Sequence, residues 1–312
     1  MNILFTNAGR RTYLIEYALD LMKQGYGINV FVCDTTTDTA AMFVSADVRN
    51  FITPRVSDSE EKYFEVLLQH CLINEIKLII PLMDFELPVL AKNKTLLENH
   101  GIKVWVSDYA LILSCLDKKR NVEFCRKNGI TLPRTWFQPE DVKYPLVKKK
   151  IQGSGSVGLE IYKNKPDYLT FIEGEDMLQQ FIAGKEIGMD IFNDYNGNYV
   201  HSCFREKLLM RAGETDKAQS FFDSTLEHEA KRISKLTGHV GNLDIDLILT
   251  PKGEIYYIDF NPRFGGGYPF THLSGANYIK YIIEDSLGIQ PQIPVFEQRI
   301  TGMKGISLYI HT

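Results

Sequence analysis

The chain has 312 residues, 44% of them hydrophobic, enough to bury a large core and to divide into two or three compact units. Lys and Arg total 35 against 39 Asp and Glu, a formal net charge of -4, and no basic block runs along the sequence, so DNA and RNA are not expected partners. No apolar stretch approaches the roughly 18 residues that span a bilayer, which excludes a membrane helix. The start MNILFTNAGRRTYLIEYAL lacks the charged, apolar and small-residue segments of a signal peptide. Cys33, Cys71, Cys115, Cys125 and Cys203 are odd in number and without CxxC spacing, which predicts reduced thiols in a cytoplasmic protein rather than disulfides or a zinc site.

Residues 2–6 form a short apolar run, Asn7-Ala8-Gly9 a turn, and Tyr13, Leu14, Tyr17, Ala18 and Leu21 an apolar helical stripe. Gly25-Tyr26-Gly27 closes that helix, and Ile28 to Cys33 reads as a second buried strand with Asp34 at its carboxyl end. A helix over 58–74, a strand over 77–82, a helix over 86–99 and a strand over 103–106 continue the alternation. That pattern predicts a parallel sheet with helices on both faces, in a first domain over residues 1–107.

Beyond it the texture changes. A helix carrying Lys118, Lys119 and Arg120 is followed by lysine-rich Tyr144 to Lys149 and by a Gly/Ser segment, Gln152 to Gly158, between two strands. Further strands are expected over 177–182, 186–193, 199–205, 243–249 and 255–260. Their short links, 194–197 and 250–253, suit antiparallel hairpins and leave no room for crossover helices.

The first turn has one glycine where a dinucleotide fingerprint needs three, so NAD binding is poorly supported; Arg10 and Arg11 beside a helix N-terminus suit a small anion. Alone, the Gly/Ser segment reads as a flexible hairpin or as a loop closing its amides over phosphates, and it lacks the P-loop order. In GNLDIDLILTPKGEIYYIDFNPRFGGG, Asp246 and Asp259 sit near the ends of two hairpin strands, and Asn261 falls on the same side as Asp259. Three hard oxygen donors suit Mg²⁺, with Arg263 placed to address a phosphate. A strand-end Asp is commonly a turn residue, but an acid flanked by Tyr256, Tyr257, Ile258 and Phe260 is costly to bury without a partner.

Taken in order, Asp117-Lys118, YPLVKKKIQGSGSVGL, QQFIAGKEIGMD, GNLDID and IDFNPRFGGG resemble the ATP-grasp superfamily, in particular short relatives of the carbamoyl-phosphate synthase large chain. The resemblance covers essentially the whole chain. It implies an α/β and α+β architecture: a pre-ATP-grasp domain over 1–107 and a two-lobed ATP-grasp domain over 108–312, with a central lobe over about 108–180 and a C-terminal lobe over about 181–312. It makes Lys118 and Lys149 nucleotide lysines, Gly153, Ser154, Gly155 and Ser156 the phosphate lid, Gln179, Gln180, Phe181 and Ile182 the adenine linker, and Glu186 the ribose carboxylate. Asp246, Asp259 and Asn261 fall on its magnesium positions and Arg263 beside the transferring phosphate. Asp259 stands where the family commonly has Glu, and Lys150 where a proline often follows the strand lysine.

The function implied is a ligase that uses ATP with Mg²⁺, or Mn²⁺ in its place, to activate a small carboxylate as an acyl phosphate for attack by an amine, with Lys149 and Arg263 as catalytic cations. Arg205, Arg211, Gly266 and Gly267 are the candidate contacts for the acid, although an exposed-loop arginine is commonly a solvated charge. The partners expected are small molecules, with a homodimer as the candidate assembly. The alternatives are carbamate- or bicarbonate-phosphorylating chemistry of the carbamoyl-phosphate synthase kind, and a non-catalytic ATP-binding module.

Overall fold

In the computed structural model, residues 1–153, 158–211 and 213–310 are described. Strands β1 (Asn2–Thr6), β2 (Asn29–Asp34), β3 (Arg49–Ile52), β4 (Ile76–Pro81) and β5 (Lys103–Val104) form a parallel sheet in the order β3-β2-β1-β4-β5. Their near-continuous apolar runs follow from burial on both faces. Ile3, Phe5, Val30, Val32, Leu78 and Ile80 point to one face, where α1 (Thr12–Lys23) packs; Leu4, Phe31, Cys33 and Ile79 point to the other, under α2 (Glu60–Ile73). The single helix expected over 86–99 is two, α3 (Leu87–Lys92) and α4 (Lys94–Asn99), because Asn93 between them turns its side chain back onto the Val89 carbonyl. Edge strand β3 has only Phe51 buried, so it carries no apolar run to read.

Helix α5 (Tyr109–Leu116) leads to α6 (Lys118–Lys127), whose start is fixed by the Asp117 carboxylate accepting from the Lys119 and Arg120 amides. Strands β6 (Thr135–Trp136), β7 (Leu146–Lys150), β8 (Glu160–Tyr162) and β9 (Asp176–Gln180) form an antiparallel sheet ordered β6-β9-β7-β8. A second antiparallel sheet contains β10 (Lys185–Asn193), β11 (Tyr199–Arg211), β12 (Glu214–Phe221), β13 (Gly241–Leu249), β14 (Ile255–Asn261) and β15 (Thr301–Met303), ordered β14-β13-β10-β11-β12-β15. The links 194–197 and 250–253 close antiparallel hairpins as expected. Strand β11 runs six residues beyond the expected end, to Arg211, and β12 and α7 (Ser224–Thr237) follow it.

Helices α8 (Tyr268–Leu273) and α9 (Tyr278–Ser286) return the chain to the parallel sheet. Trp105, Phe192, Tyr268 and Tyr278 pack in one core with α1 and the sheet face beneath it. The Tyr17 ring stacks on His272 at 3.5 Å, and the Tyr26 hydroxyl donates to Glu284 at 2.8 Å. The first βα turn is thereby held against the loop after β14: Arg11 Nη1 donates to Phe264 O at 2.8 Å and also to Leu82 O, and Tyr13 Oη donates to Gly265 O at 3.2 Å. No helix among the described residues is long and apolar enough to cross a membrane.

Candidate active site

A cavity of about 390 Å³ opens between the two antiparallel sheets. Lys118, Lys149, Gly153, the 179–182 linker, Glu186, Asp246 and Asp259 all line it. Lys149 projects inward from β7 and is buried, its Nζ 3.4 Å from the Ile258 carbonyl. Burial depresses the Lys149 ammonium to about 8, Asp259 opposing this and Lys118 adding to it. Lys118 Nζ donates to Gly153 O at 3.0 Å, fixing the root of the Gly/Ser segment, and Gly153 has a φ of +123° that suits glycine. Ser154, Gly155 and Ser156 lie outside the described residues. In the linker, Gln179 is buried on Thr135, the Gln180 amide donates to Arg134 O at 2.8 Å, and the Phe181 amide donates to Pro145 O at 3.1 Å. The Ile182 amide has no such backbone partner among the described residues.

At the inner end of this cavity Asp246 on β13 and Asp259 on β14 are direct cross-strand partners, and Asn261 pairs with Asp244 two positions on. The side-chain period of two therefore sends Asp246, Asp259 and Asn261 to one face. Lys207 on β11 bridges this face to Glu186, with Nζ 2.6 Å from Asp246 Oδ1 and 2.9 Å from Glu186 Oε1. Burial pushes the Asp246 carboxyl up to about 6, against the pull of Lys207. Arg263 Nη2 donates to Asn261 Oδ1 at 3.1 Å and to Asp84 Oδ2, on the β4–α3 connection, at 2.9 Å. Among the described residues no three His, Cys, Asp or Glu side chains gather around one metal position. Two carboxylates and an amide fit a hard cation whose remaining ligands are phosphate oxygens and water, and Lys207 and Arg263 supply positive charge at those donors in this structure.

Beside it lies a strongly polar cavity of about 250 Å³, bordered by Arg10 and Arg11 from the first turn, by Glu214, by Asp244, Asp246, Asp259, Asn261 and Arg263, and by Gly266 and Gly267. Arg205 reaches its floor only marginally: it is 1% exposed, paired with Asp190 at 2.5 Å and with Asp244. Burial draws the Arg205 pKa down, and Asp190 and Asp244 more than restore it. The triple glycine is the covering of this buried cluster. A Cβ on Gly267 would lie 2.1 Å from Arg205 Nε, and one on Gly265 2.0 Å from Asp244 Oδ2. Gly266 faces Glu214, where a Cβ would meet the side chain at 3.2 Å. Arg211 is 66% exposed near the β11–β12 turn, pairs with Asp216 at 3.1 Å and borders neither cavity.

The first turn carries no dinucleotide arrangement. Asp34 Oδ2 accepts from the Gly9 amide at 2.9 Å and Oδ1 from Thr35 at 2.7 Å, so both oxygens close the turn itself. Sequence reasoning passed over Lys207, although it stands two residues from Arg205 on one strand; alternation alone links the two. It also passed over Asp84 and Glu214, whose place at the site comes from chain segments far apart in sequence.

Two antiparallel sheets enclosing lysines and a carboxylate hairpin, behind a parallel-sheet unit, define a nucleotide-gripping architecture. Residues 3–105 match the model of the PylC-like N-terminal domain, and residues 115–267 match the ATP-grasp domain. The chain thus carries an ATP-grasp domain with a PylC-like N-terminal domain in front of it. It is 24% identical over 238 residues to the 2-oxoglutarate carboxylase small subunit of Hydrogenobacter thermophilus, covering 64% of this chain and 50% of that protein. It is 29% identical over 133 residues to the D-alanine--D-alanine ligase of Pelobacter propionicus, covering 38% and 43%. The chain thus spans about half the length of these curated relatives. The L-amino acid ligase of Bacillus licheniformis shares the fold, with a TM-score of 0.69 at 17% identity over 94% of this chain and 74% of that one.

Proposed function

We propose that the protein is an ATP-dependent carboxylate–amine ligase whose nucleotide lies in the cavity between the sheets and whose acid lies in the adjoining polar cavity. The observation that carries this reading is that Asp246 and Asp259 border both cavities, so one pair of carboxylates faces nucleotide phosphates on one side and substrate on the other. A carboxylate resists attack because it is negative and its oxide leaves poorly; transfer of the γ-phosphoryl group removes both obstacles. Lys118 and Lys149 hold phosphate oxygens, the Ile182 amide meets the adenine edge, and Glu186 takes the ribose hydroxyls. Mg²⁺, or Mn²⁺, would be held by Asp246, Asp259 and Asn261 and would supply positive charge at the phosphates. Arg263, fixed by Asp84, faces the group in transfer, and Lys207, on Asp246 and Glu186, adds positive charge beside it. Amine attack on the acyl phosphate then forms the amide and releases phosphate. Gly266 and Gly267 wall the acid, and Arg10 at the rim of the same cavity addresses its outer end.

The names of the relatives support this class of chemistry, amide ligation in two of the three. Activation of bicarbonate is the second reading, supported by the match to a carboxylase subunit. Five buried, unpaired cysteines support a reducing compartment such as the cytoplasm. The test is a panel of amino acids, small carboxylates and bicarbonate, each with ATP, Mg²⁺ and mixed primary amines, scored by ADP release. The reading expects release that depends on one acid class. Release independent of every acid would mark an ATPase rather than a ligase, and none with any of them a non-catalytic nucleotide module.

A further inference from the structure

The polar cavity has two ends of opposite character. Asp246 and Asp259 border the nucleotide cavity as well, whereas Arg10, Arg11 and Glu214 border the polar cavity and not the nucleotide one. At the inner end every cation is spent. Arg205 is paired with Asp190 and Asp244, Lys207 with Asp246 and Glu186, and Arg263 with Asp84. Asp259 has no ion-pair partner among the described residues, so acids outnumber cations there, as suits a metal site.

At the outer end the balance reverses. Glu214, the acid of that end, is paired with Lys304 at 3.2 Å. Arg11 gives Nη1 to the Leu82 and Phe264 carbonyls, which carry no net charge, and forms no ion pair among the described residues. Burial and then Arg263 draw the Arg11 pKa down, against Tyr13, Asp84 and Glu214, as befits a charge that its surroundings leave unbalanced. Arg10 is exposed and forms neither a hydrogen bond nor an ion pair among the described residues. Two guanidinium groups without carboxylate partners, on the wall of a concave polar cavity, suit an anionic group. The carboxylate to be activated must lie at the metal end, so the anion at the arginines is a second one. Glu214 beside them favours a group with one negative charge over a phosphoryl group with nearly two.

We propose that the acid substrate is a small dicarboxylic acid, with one carboxylate activated beside Asp259 and Arg263 and the other held by Arg10 and Arg11. The proposal rests on the ligase reading and adds the class of its acid. The PylC-like unit then selects the acid, and the ATP-grasp domain activates it. A cavity of about 250 Å³ keeps that acid small.

Calorimetry with succinate, glutarate and adipate, each against its own monoamide, tests this, with and without Mg²⁺ and a non-hydrolysable ATP analogue. The best-fitting diacid should bind about tenfold more tightly than its monoamide, the scale of one hydrogen bond to a charged group. Arg10→Gln, at an exposed side chain with no partner to lose, should remove most of that preference and leave monoamide affinity unchanged. Glu214→Gln removes a like charge and should strengthen diacid binding about threefold without helping the monoamide. Diacids no tighter than their monoamides at any length, a preference undiminished in Arg10→Gln, or a diacid affinity that falls in Glu214→Gln overturns the proposal. Tighter binding of 3-phosphonopropionate than of glutarate overturns it as well. Failure of the ATP analogue to bind strikes the ligase reading instead, and the titrations without nucleotide still judge the diacid preference.

Discussion

Lys207 Nζ sits between two carboxylates, 2.6 Å from Asp246 on the β13–β14 hairpin and 2.9 Å from Glu186 at the start of β10. It is almost fully buried and its charge holds the two acids together in the absence of other cations. Burial works against that charge, but Asp246 and Glu186 raise the Lys207 pKa overall. Replacing it by Met leaves both acids without a counter-charge. Lys207→Met should lose about 1–3 kcal/mol of stability, less than a fully buried pair because both partners touch solvent. Millimolar Mg²⁺ should restore more melting temperature in the variant than in the parent. Identical responses to Mg²⁺ would show that Lys207 and the cation do not share Asp246.

Acid sensitivity should come from buried neutral histidines. His239 is fully buried; Nε2–H donates to Ile191 O at 3.0 Å, and Nδ1 lies 2.8 Å from Thr237 Oγ1 and 3.4 Å from Asn193 Nδ2. Burial pushes its pKa down to about 4, the Ile191 bond opposing. Because the folded value lies below the unfolded one near 6.5, the neutral ring stabilises the fold fully above that pH. The contribution is lost as pH falls from about 6.5 to about 4, a change of about 3 kcal/mol at 1.36 kcal/mol per unit. Denaturant titrations across this range should show a shallower loss for His239→Gln. An unchanged slope would mean that the ring already carries its proton in the fold.

The triple glycine should tolerate substitution unevenly. Gly265→Ala drives a methyl against Asp244, whose carboxylate is held by Arg205 and cannot swing aside, so a loss of about 2 kcal/mol or more is expected. Gly266→Ala meets only the half-exposed Glu214 side chain and should cost under about 1 kcal/mol. Equal melting temperatures for the two variants would show that the Arg205–Asp244 cluster is not packed as described.

Much of this was readable in the sequence because local rules suffice for it. The apolar runs of β1, β2 and β4 specify a sheet buried on both faces, and the short hairpin between β13 and β14 puts Asp246 opposite Asp259 by register alone. What escaped depends on chain segments distant in sequence. Arg205 reads as a substrate contact on its strand, yet Asp190 and Asp244 from two other strands bury it, with Gly188 and Gly267 leaving it room. Strand β12 alternates small buried polar residues such as Thr215 and Ser220 with charged ones, so it shows no apolar signature. Asp84 joins the site because α1 and α9 dock the parallel sheet against the loop after β14, a consequence of packing rather than of any motif.

The hairpin carboxylates separate an enzyme from a silent binder. Asp259→Asn preserves shape while removing one negative charge from a residue that has no ion-pair partner among the described residues. The variant should melt at or above the parent in the absence of Mg²⁺, because it relieves repulsion with Asp246, and its turnover should fall by about 10²-fold or more. Normal turnover, or failure to fold, would make Asp259 a structural strand residue.

The formation of an acyl phosphate is the centre of the account, and transfer of oxygen from the acid reports it most directly. The acid selected by the panel is labelled with oxygen-18 in its carboxylate and turned over with ATP, Mg²⁺ and amine, and the released phosphate is analysed by mass spectrometry. ADP is expected as the nucleotide product, with label from the carboxylate in the phosphate. Unlabelled phosphate, or AMP and pyrophosphate in place of ADP, would contradict it.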